Sequence, residues 1–376
     1  MSRLFEATSI GSMKLANRFV RSATYEGMAA PDGICTPALQ EKMAELAEGA
    51  VGLIITGHAF VSPEGRVRPF QYGIHHDGVV PALAAMTRAV HDRGGRIVIQ
   101  LAHGGGQAIS KATGLPALGP SAMEMANGTA VQPADPDDLG RIREAFSEAA
   151  RRAKEAGFDG AQIHAAHGYL MSQFLSPYFN KRTDGYGGGL ENRARLLLET
   201  AARVRSRVGE GFPVLVKINS DDFVEGGFGP DDMVRVSKML EKAGVNAIEI
   251  SGGTGISGDK IPSRIGLAKA GEDEVYYREA ARAFKREMTI PLILVGGIRS
   301  LPVAEALVVD GLADYIALSR PLIREPGLVR RWRSADPAKA TCISCNRCYR
   351  PILRGDGLAC EAIDRTGERP GGQGDG

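Results

Sequence analysis

Short, β-rich apolar runs alternate along this chain with longer stretches in which apolar residues recur every three or four positions. The short runs fall at 18–23, 51–56, 96–101, 160–165, 214–219, 247–251, 292–296 and 315–319. The longer ones fall at 38–47, 80–91, 139–156, 191–208, 231–243, 274–287 and 302–309. The first set reads as strands and the second as amphipathic helices. Punctuation agrees with this. Thr36 followed by Pro37 is an N-cap with proline at the first helical position, and Gly94, Gly157, Gly209 and Gly244 sit where helices should stop. Eight strand–helix units in one chain predict an α/β fold, a single (β/α)8 barrel of TIM type. A doubly wound open sheet is the competing topology. The run Gly104-Gly105-Gly106 would favour it, but lacks G-x-G-x-x-G spacing and leads into no obvious helix. The expected organisation is a barrel over 1–335, a short cysteine-rich C-terminal extension over 336–366 and a glycine-rich, disordered tail over 367–376.

Composition narrows the function. The 376 residues are 43% hydrophobic, enough for one large core, and the net charge of +2 gives no electrostatic case for nucleic acid or a membrane surface. No run approaches the roughly 18 apolar residues of a spanning helix. The start, Met1-Ser2-Arg3-Leu4-Phe5-Glu6, lacks the apolar stretch of a signal peptide. A cytoplasmic enzyme is the expectation, with cysteines reduced or bound to metal.

The chemistry concentrates after the fourth strand. Gln162-Ile163-His164-Ala165-Ala166-His167-Gly168-Tyr169-Leu170 places two histidines and a tyrosine at the C-terminal end of an apolar run, where barrel enzymes carry their sites. Two donors converging on one point can polarise a carbonyl oxygen, and Tyr169 can deliver a proton. A zinc pair or packed core histidines are the alternatives. A zinc pair would want a third ligand, and nearby Asp184 belongs to a loop that reads as structural. After the seventh and eighth strands come Gly296-Gly297 and Ser319-Arg320. Loops there form the common phosphate site of this architecture, with glycine amides and a charged fork of donors. A phosphorylated cofactor follows.

Taken together, Asn17-Arg18-Phe19-Val20, Gln100-Leu101-Ala102-His103, His164 to Leu170, Phe174-Leu175-Ser176-Pro177, Asn180 to Asp184, Tyr186-Gly187-Gly188 and Glu191-Asn192-Arg193 resemble the old yellow enzyme family of FMN-dependent NAD(P)H oxidoreductases. The resemblance covers about 4–325. It implies FMN across the barrel mouth, bordered by Ala23, Thr24 and the backbone around Gly57 and His58. Gln100 would read the flavin pyrimidine edge, and Lys217 would replace the usual arginine beside N1 and O2. Gly296, Gly297, Ser319 and Arg320 would hold the phosphate. NADH or NADPH would reduce the flavin; an enone would then bind with its oxygen on His164 and His167 while Tyr169 protonates the α-carbon. Tyr25 departs from the Thr or Cys of many relatives, at a place that tunes the flavin.

Cys342, Cys345, Cys348 and Cys360 form a C-x2-C-x2-C-x11-C set. Four cysteines so close in a cytoplasmic chain point to metal rather than disulfides. The set is similar to that of 2,4-dienoyl-CoA reductase and trimethylamine dehydrogenase, which implies a [4Fe-4S] centre. Those relatives have three residues between the second and third cysteines and continue into further flavin and nucleotide domains, whereas this sequence has two and ends 16 residues after Cys360. A structural zinc is therefore an equal expectation. Because the extension has few apolar runs, the metal is expected to supply its order. Cys35 reads as a bystander.

Three functions follow. The first is an ene-reductase acting on a small-molecule substrate, as a monomer or homo-oligomer. The second is an iron–sulfur flavoprotein dehydrogenase passing electrons to a partner protein. The third is a metal-dependent barrel lyase or aldolase using Lys217 or the histidines. The loops 104–138 and 259–273 are expected to set substrate choice.

Overall fold

A computed structural model describes residues 2–266 and 274–362. Eight parallel strands close into a barrel: β1 Phe19–Arg21, β2 Leu53–Phe60, β3 Ile97–Ala102, β4 Gly160–Ala165, β5 Val214–Asn219, β6 Ala247–Ser251, β7 Leu292–Leu294 and β8 Tyr315–Leu318. They pair in chain order, and β8 returns to β1 through Ile316 opposite Phe19. The helices between them are α1 Pro37–Glu48, α2 Val80–His91, α3 Pro136–Glu155, α4 Leu190–Val208, α5 Pro230–Lys242, α6 Arg278–Glu287 and α7 Leu301–Val309. After β8 come α8 Arg320–Arg324 and α9 Leu328–Arg333. The barrel is the predicted one, and the open sheet is excluded.

The local signals act as their chemistry requires. Thr36 Oγ1 accepts the Leu39 amide at the start of α1. Asp135 and Asp138 form a reciprocal capping box that starts α3 at Pro136, three residues earlier than the apolar pattern suggests. Gly94, Gly157, Gly209 and Gly244 all have positive φ just beyond helix ends. The apolar stripes of the helices, such as Leu139, Ile142, Phe146 and Ala150 of α3, face the outside of the barrel and form its largest core with the outward residues of the strands.

Inside the barrel the side chains change character along each strand. At the N-terminal end Val20, Leu53, Ile55, Val98, Leu215, Ala247, Ile293 and Ala317 form a second apolar core. It is capped by a hairpin, Thr8–Ile10 paired with Met13–Leu15, which contributes Ile10, Met13 and Leu15. Further along β1, β3, β4, β5 and β6, the inward positions become Ser22, Gln100, Gln162, Lys217 and Glu249. The two-residue period that aims Leu215 inward must aim Lys217 inward too. The barrel is thus dry below and polar above.

The loop after β3 is not irregular. It folds into a small sheet in which Ala130–Pro133 pairs parallel with Ala117–Gly119 and antiparallel with Met123–Glu124. The second specificity loop, after β6, lies partly outside the described residues, and the expected tail over 367–376 lies wholly outside them. Among the described residues no helix is long and apolar enough to cross a membrane.

The C-terminal extension lies on the barrel mouth. Cys348, Ile352 and Leu358 are buried against Tyr25, Ile323 and Tyr349, and the Leu358 amide donates to the Glu26 carbonyl. A side chain on Gly27 would meet Ile352 Cγ2 at 2.4 Å, so the contact is backbone-close. The few apolar residues of the extension thus share a core with the loop after β1.

Candidate active site

A cavity of about 420 Å³ opens at the C-terminal ends of the strands, a volume typical of small-molecule sites. Of the residues expected from sequence, Ala23, Thr24, Tyr25, His58, Gln100, His164, His167, Tyr169, Lys217, Gly296, Gly297, Ser319 and Arg320 all line it. Gly57 does not. The register of β2 against β3 shifts between Ile55 and His58, which puts His58 opposite Gln100. The Gly57 amide is instead spent on the Glu26 carboxylate at 2.9 Å.

His164 stands at the end of β4, and its ring meets those of His167 and Tyr169 at centroid distances of 5.1 and 4.7 Å. Burial, followed by the neighbouring His167, Lys217 and His58, holds the His164 pKa well below its ordinary value, and burial does the same for His167. Both rings are therefore neutral near pH 7, each with one N–H and one lone pair. His164 Nδ1 is buried with no hydrogen-bond partner among the described residues. His167 sits at φ +64°, a left-handed conformation that a non-glycine residue holds at a cost. Three contacts hold it there: its amide donates to Asn219 Oδ1 at 3.1 Å, Gln107 Nε2 donates to its carbonyl at 2.9 Å, and its Nε2 lies 2.8 Å from Ser251 Oγ. With Nε2 accepting from Ser251, Nδ1–H is the donor left for a ligand.

Tyr169 precedes the short helix Leu170–Leu175 and packs between His164 and His58. Burial raises its phenol pKa far above the ordinary value, against a smaller opposing pull from Arg68. It stays protonated through the physiological range. Tyr25 is raised by burial to about 12, and its hydroxyl donates to the Pro69 carbonyl. Its ring leans on His58 and on the extension, so it serves as a wall between cavity and extension.

Lys217 is not a lone cation. Its Nζ lies 2.9 Å from Glu249 Oε1 and 2.8 Å from Ser22 Oγ, and the lysine and glutamate side chains are 3% and 0% exposed. An ammonium gripped in this way is not a free amine nucleophile, which removes the Lys217 aldolase reading. Among the described residues no three His, Cys, Asp or Glu side chains are grouped to hold a single metal ion.

Gly296, Gly297, Ser319 and Arg320, the residues expected to hold a phosphate, lie together at one end of the cavity. Gly296 and Gly297 have φ +114° and +80°, and a side chain on either would strike Tyr276 or Tyr277. Arg320 is partly committed elsewhere: its Nη1 donates to the Arg264 carbonyl and Asn346 Oδ1, both at 2.7 Å. Arg299, buried on the same wall, was missed from sequence although it follows the glycine pair by two residues. Ser22, Ser251, Tyr349 and the exposed Arg68 also line the cavity without having been predicted. Strand parity could have indicated Ser22 and Ser251. Nothing local marks Tyr349 or Arg68.

The four cysteines converge on a separate small cavity, bordered also by Arg320 and Arg324. Burial and then the adjacent Cys342 raise the Cys348 thiol to about 12, with Arg320 pulling the other way. Cys342 and Arg320 border both this cavity and the larger one.

Residues 3–338 match the model of the NADH:flavin oxidoreductase / NADH oxidase family. A metal reductase of Desulforamulus reducens is 35% identical over 96% of this chain, which spans 53% of that protein. An NADPH dehydrogenase of Halalkalibacterium halodurans is 35% identical, with 86% of this chain and 92% of the relative aligned. An old yellow enzyme homologue from Zymomonas mobilis superposes with a TM-score of 0.76 at 30% identity, covering 89% of this chain and 94% of the other. The chain thus spans about half the length of the metal reductase and nearly all of the shorter relative.

Proposed function

This chain belongs to the NADH:flavin oxidoreductase / NADH oxidase family, and from that premise we propose that it is an FMN-dependent NAD(P)H oxidoreductase reducing activated C=C bonds. The observation that carries the reading is the convergence of two neutral histidines and a protonated tyrosine on one wall of a cavity. The floor of that cavity is the Lys217–Gln100 polar layer, and its far end is the Gly296–Gly297 turn.

These residues fit FMN. Gln100 Nε2 is engaged by Gln162 at 2.7 Å, which leaves its carbonyl oxygen for the cavity. Lys217 keeps a third N–H beyond its two internal partners. The glycine pair, Ser319 and Arg299 supply anion-binding groups at the other end. FMN supplies hydride transfer between the nicotinamide and the acceptor. His164 and His167 would hold the acceptor's carbonyl oxygen and stabilise the charge that develops there. Tyr169 would give its proton to the α-carbon and recover one from solvent. Acid-denatured protein should release free FMN; colourless protein, or flavin of another kind, would overturn the reading.

Of the two metals, the cysteine cavity supports an iron–sulfur cluster. Its border with the larger cavity, through Cys342 and Arg320, suits a group that exchanges electrons with the flavin, which zinc cannot do. The wall shared by Cys342 and Arg320 would put it beside the flavin, and this proximity favours electron exchange with a partner protein as a second activity. Iron and sulfide analysis of anaerobically prepared protein tests it. Stoichiometric zinc without sulfide would reverse the assignment.

A further inference from the structure

Glu249 lies behind the cavity floor rather than on it, yet it is the only carboxylate in the polar layer of Ser22, Gln100, Gln162 and Lys217. Its two oxygens are used differently. Oε1 takes the Lys217 ammonium at 2.9 Å and the Ser22 hydroxyl at 2.5 Å. Oε2 takes Gln162 Nε2 at 2.8 Å.

A carboxylate can only accept hydrogen bonds, and this fixes the direction of every bond that follows. Gln162 must offer its amide nitrogen to Glu249, so its carbonyl oxygen faces Gln100. Gln100 must then donate through Nε2, at 2.7 Å, and present its own oxygen to the cavity. Ser22 likewise must donate to Glu249 and accept from Lys217, at 2.8 Å. The carboxylate also balances the only cation in this layer. The floor therefore meets a ligand with an acceptor at Gln100 and with a lysine whose charge is neutralised from behind.

We propose that Glu249 is a positioning residue that sets the redox potential of the bound flavin. It lowers the potential by cancelling the Lys217 charge, and it fixes the polarity of the Gln162–Gln100 relay that reads the flavin's pyrimidine edge. Reduction places negative charge on that edge of a flavin, so an unbalanced lysine would stabilise the reduced form and a balanced one does so less. The inference rests on the flavin reading of the cavity.

The test is the midpoint potential of FMN-loaded protein, by dye-equilibrated reduction, for wild type, Glu249→Gln, Lys217→Gln and the double variant. Glu249→Gln should favour reduced flavin at least tenfold, a rise of about 30 mV for a two-electron couple. Lys217→Gln, which leaves the carboxylate unbalanced, should lower the potential. The double variant, with no charge in the layer, should lie between the two singles. A Glu249→Gln protein that folds, binds FMN and keeps the wild-type potential overturns the proposal. Should Glu249→Gln fail to fold, the double variant must still lie above Lys217→Gln, and equal potentials overturn the proposal just as well. Wild-type protein without any flavin spectrum would instead sink the flavin reading, and the proposal with it.

Discussion

Replacing Tyr169 with Phe removes one oxygen from the centre of the proposed site and little else. The phenol makes no hydrogen bond to any described protein group, and its ring contacts with His164 and His58 survive the change. Folding and FMN binding should therefore be unaffected. A general acid contributes about 10²–10⁴-fold, which at about 1.36 kcal/mol per decade is about 2.7–5.4 kcal/mol of barrier. That loss should fall on one half-reaction alone. In anaerobic stopped-flow with absorbance at the flavin band, reduction by NAD(P)H should proceed within about twofold of wild type. Reoxidation by an enone should slow by about 10² or more. pH gives a second check. Because burial raises the phenol's pKa far above the ordinary tyrosine value, its proton is retained through pH 10. The wild-type reoxidation rate should then show no loss from tyrosine ionisation near 10, as a solvent-exposed phenol would produce. Equal slowing of both half-reactions, or full-rate reoxidation by the Phe variant, would refute the assignment.

Ser251→Ala should release His167 Nε2 from its partner at 2.8 Å and let the ring choose the other tautomer; phenol binding, read from the charge-transfer band, should weaken about tenfold, the worth of a net hydrogen bond of about 1.4 kcal/mol, and unchanged affinity would remove Ser251 from the site. Gly27→Ala puts a methyl group 2.4 Å from Ile352 at φ +62°, so limited proteolysis should cut the 340–362 segment faster while the barrel's melting point barely moves. Cys345→Ser should produce the same cut by a different route, through loss of metal, and resistance of metal-free protein would show that the Cys348–Ile352–Leu358 core alone holds the segment. His103, 1% exposed and depressed by burial to about 4, with Glu64 partly opposing, stays neutral in the fold while its unfolded counterpart protonates below about 6.5. Its contribution is whole above pH 6.5 and is lost as pH falls toward 4, by up to about 3 kcal/mol; urea midpoints of wild type should drop over that window more than those of His103→Gln.

Much of the molecule was legible in the residues taken in order. The eight-fold alternation, the cap at Thr36 and the glycine stops are local signals, because helices and strands are selected by periods of three to four and two residues within one stretch of chain. The cluster His164, His167 and Tyr169 was legible for the same reason, since its members share one strand end and one turn. Strand parity even implies that Lys217, two residues past the inward Leu215, must face the barrel interior. What parity cannot state is which residue meets it there. The partners of Lys217 are Ser22 and Glu249, 195 and 32 positions away, brought within 2.9 Å only when the sheet closes. The register shift in β2 is of the same kind: of the two expected residues it leaves His58 and not Gly57 at the cavity wall, and depends on how two strands twist against each other rather than on either sequence alone. The docking of the extension, which makes Tyr349 and Cys342 part of the wall, required the loop after β1 to offer a complementary apolar face. Single elements were written in local periodicity, whereas the charge, polarity and boundaries of the site arose from closure, because burial and pairing energies belong to pairs of distant residues.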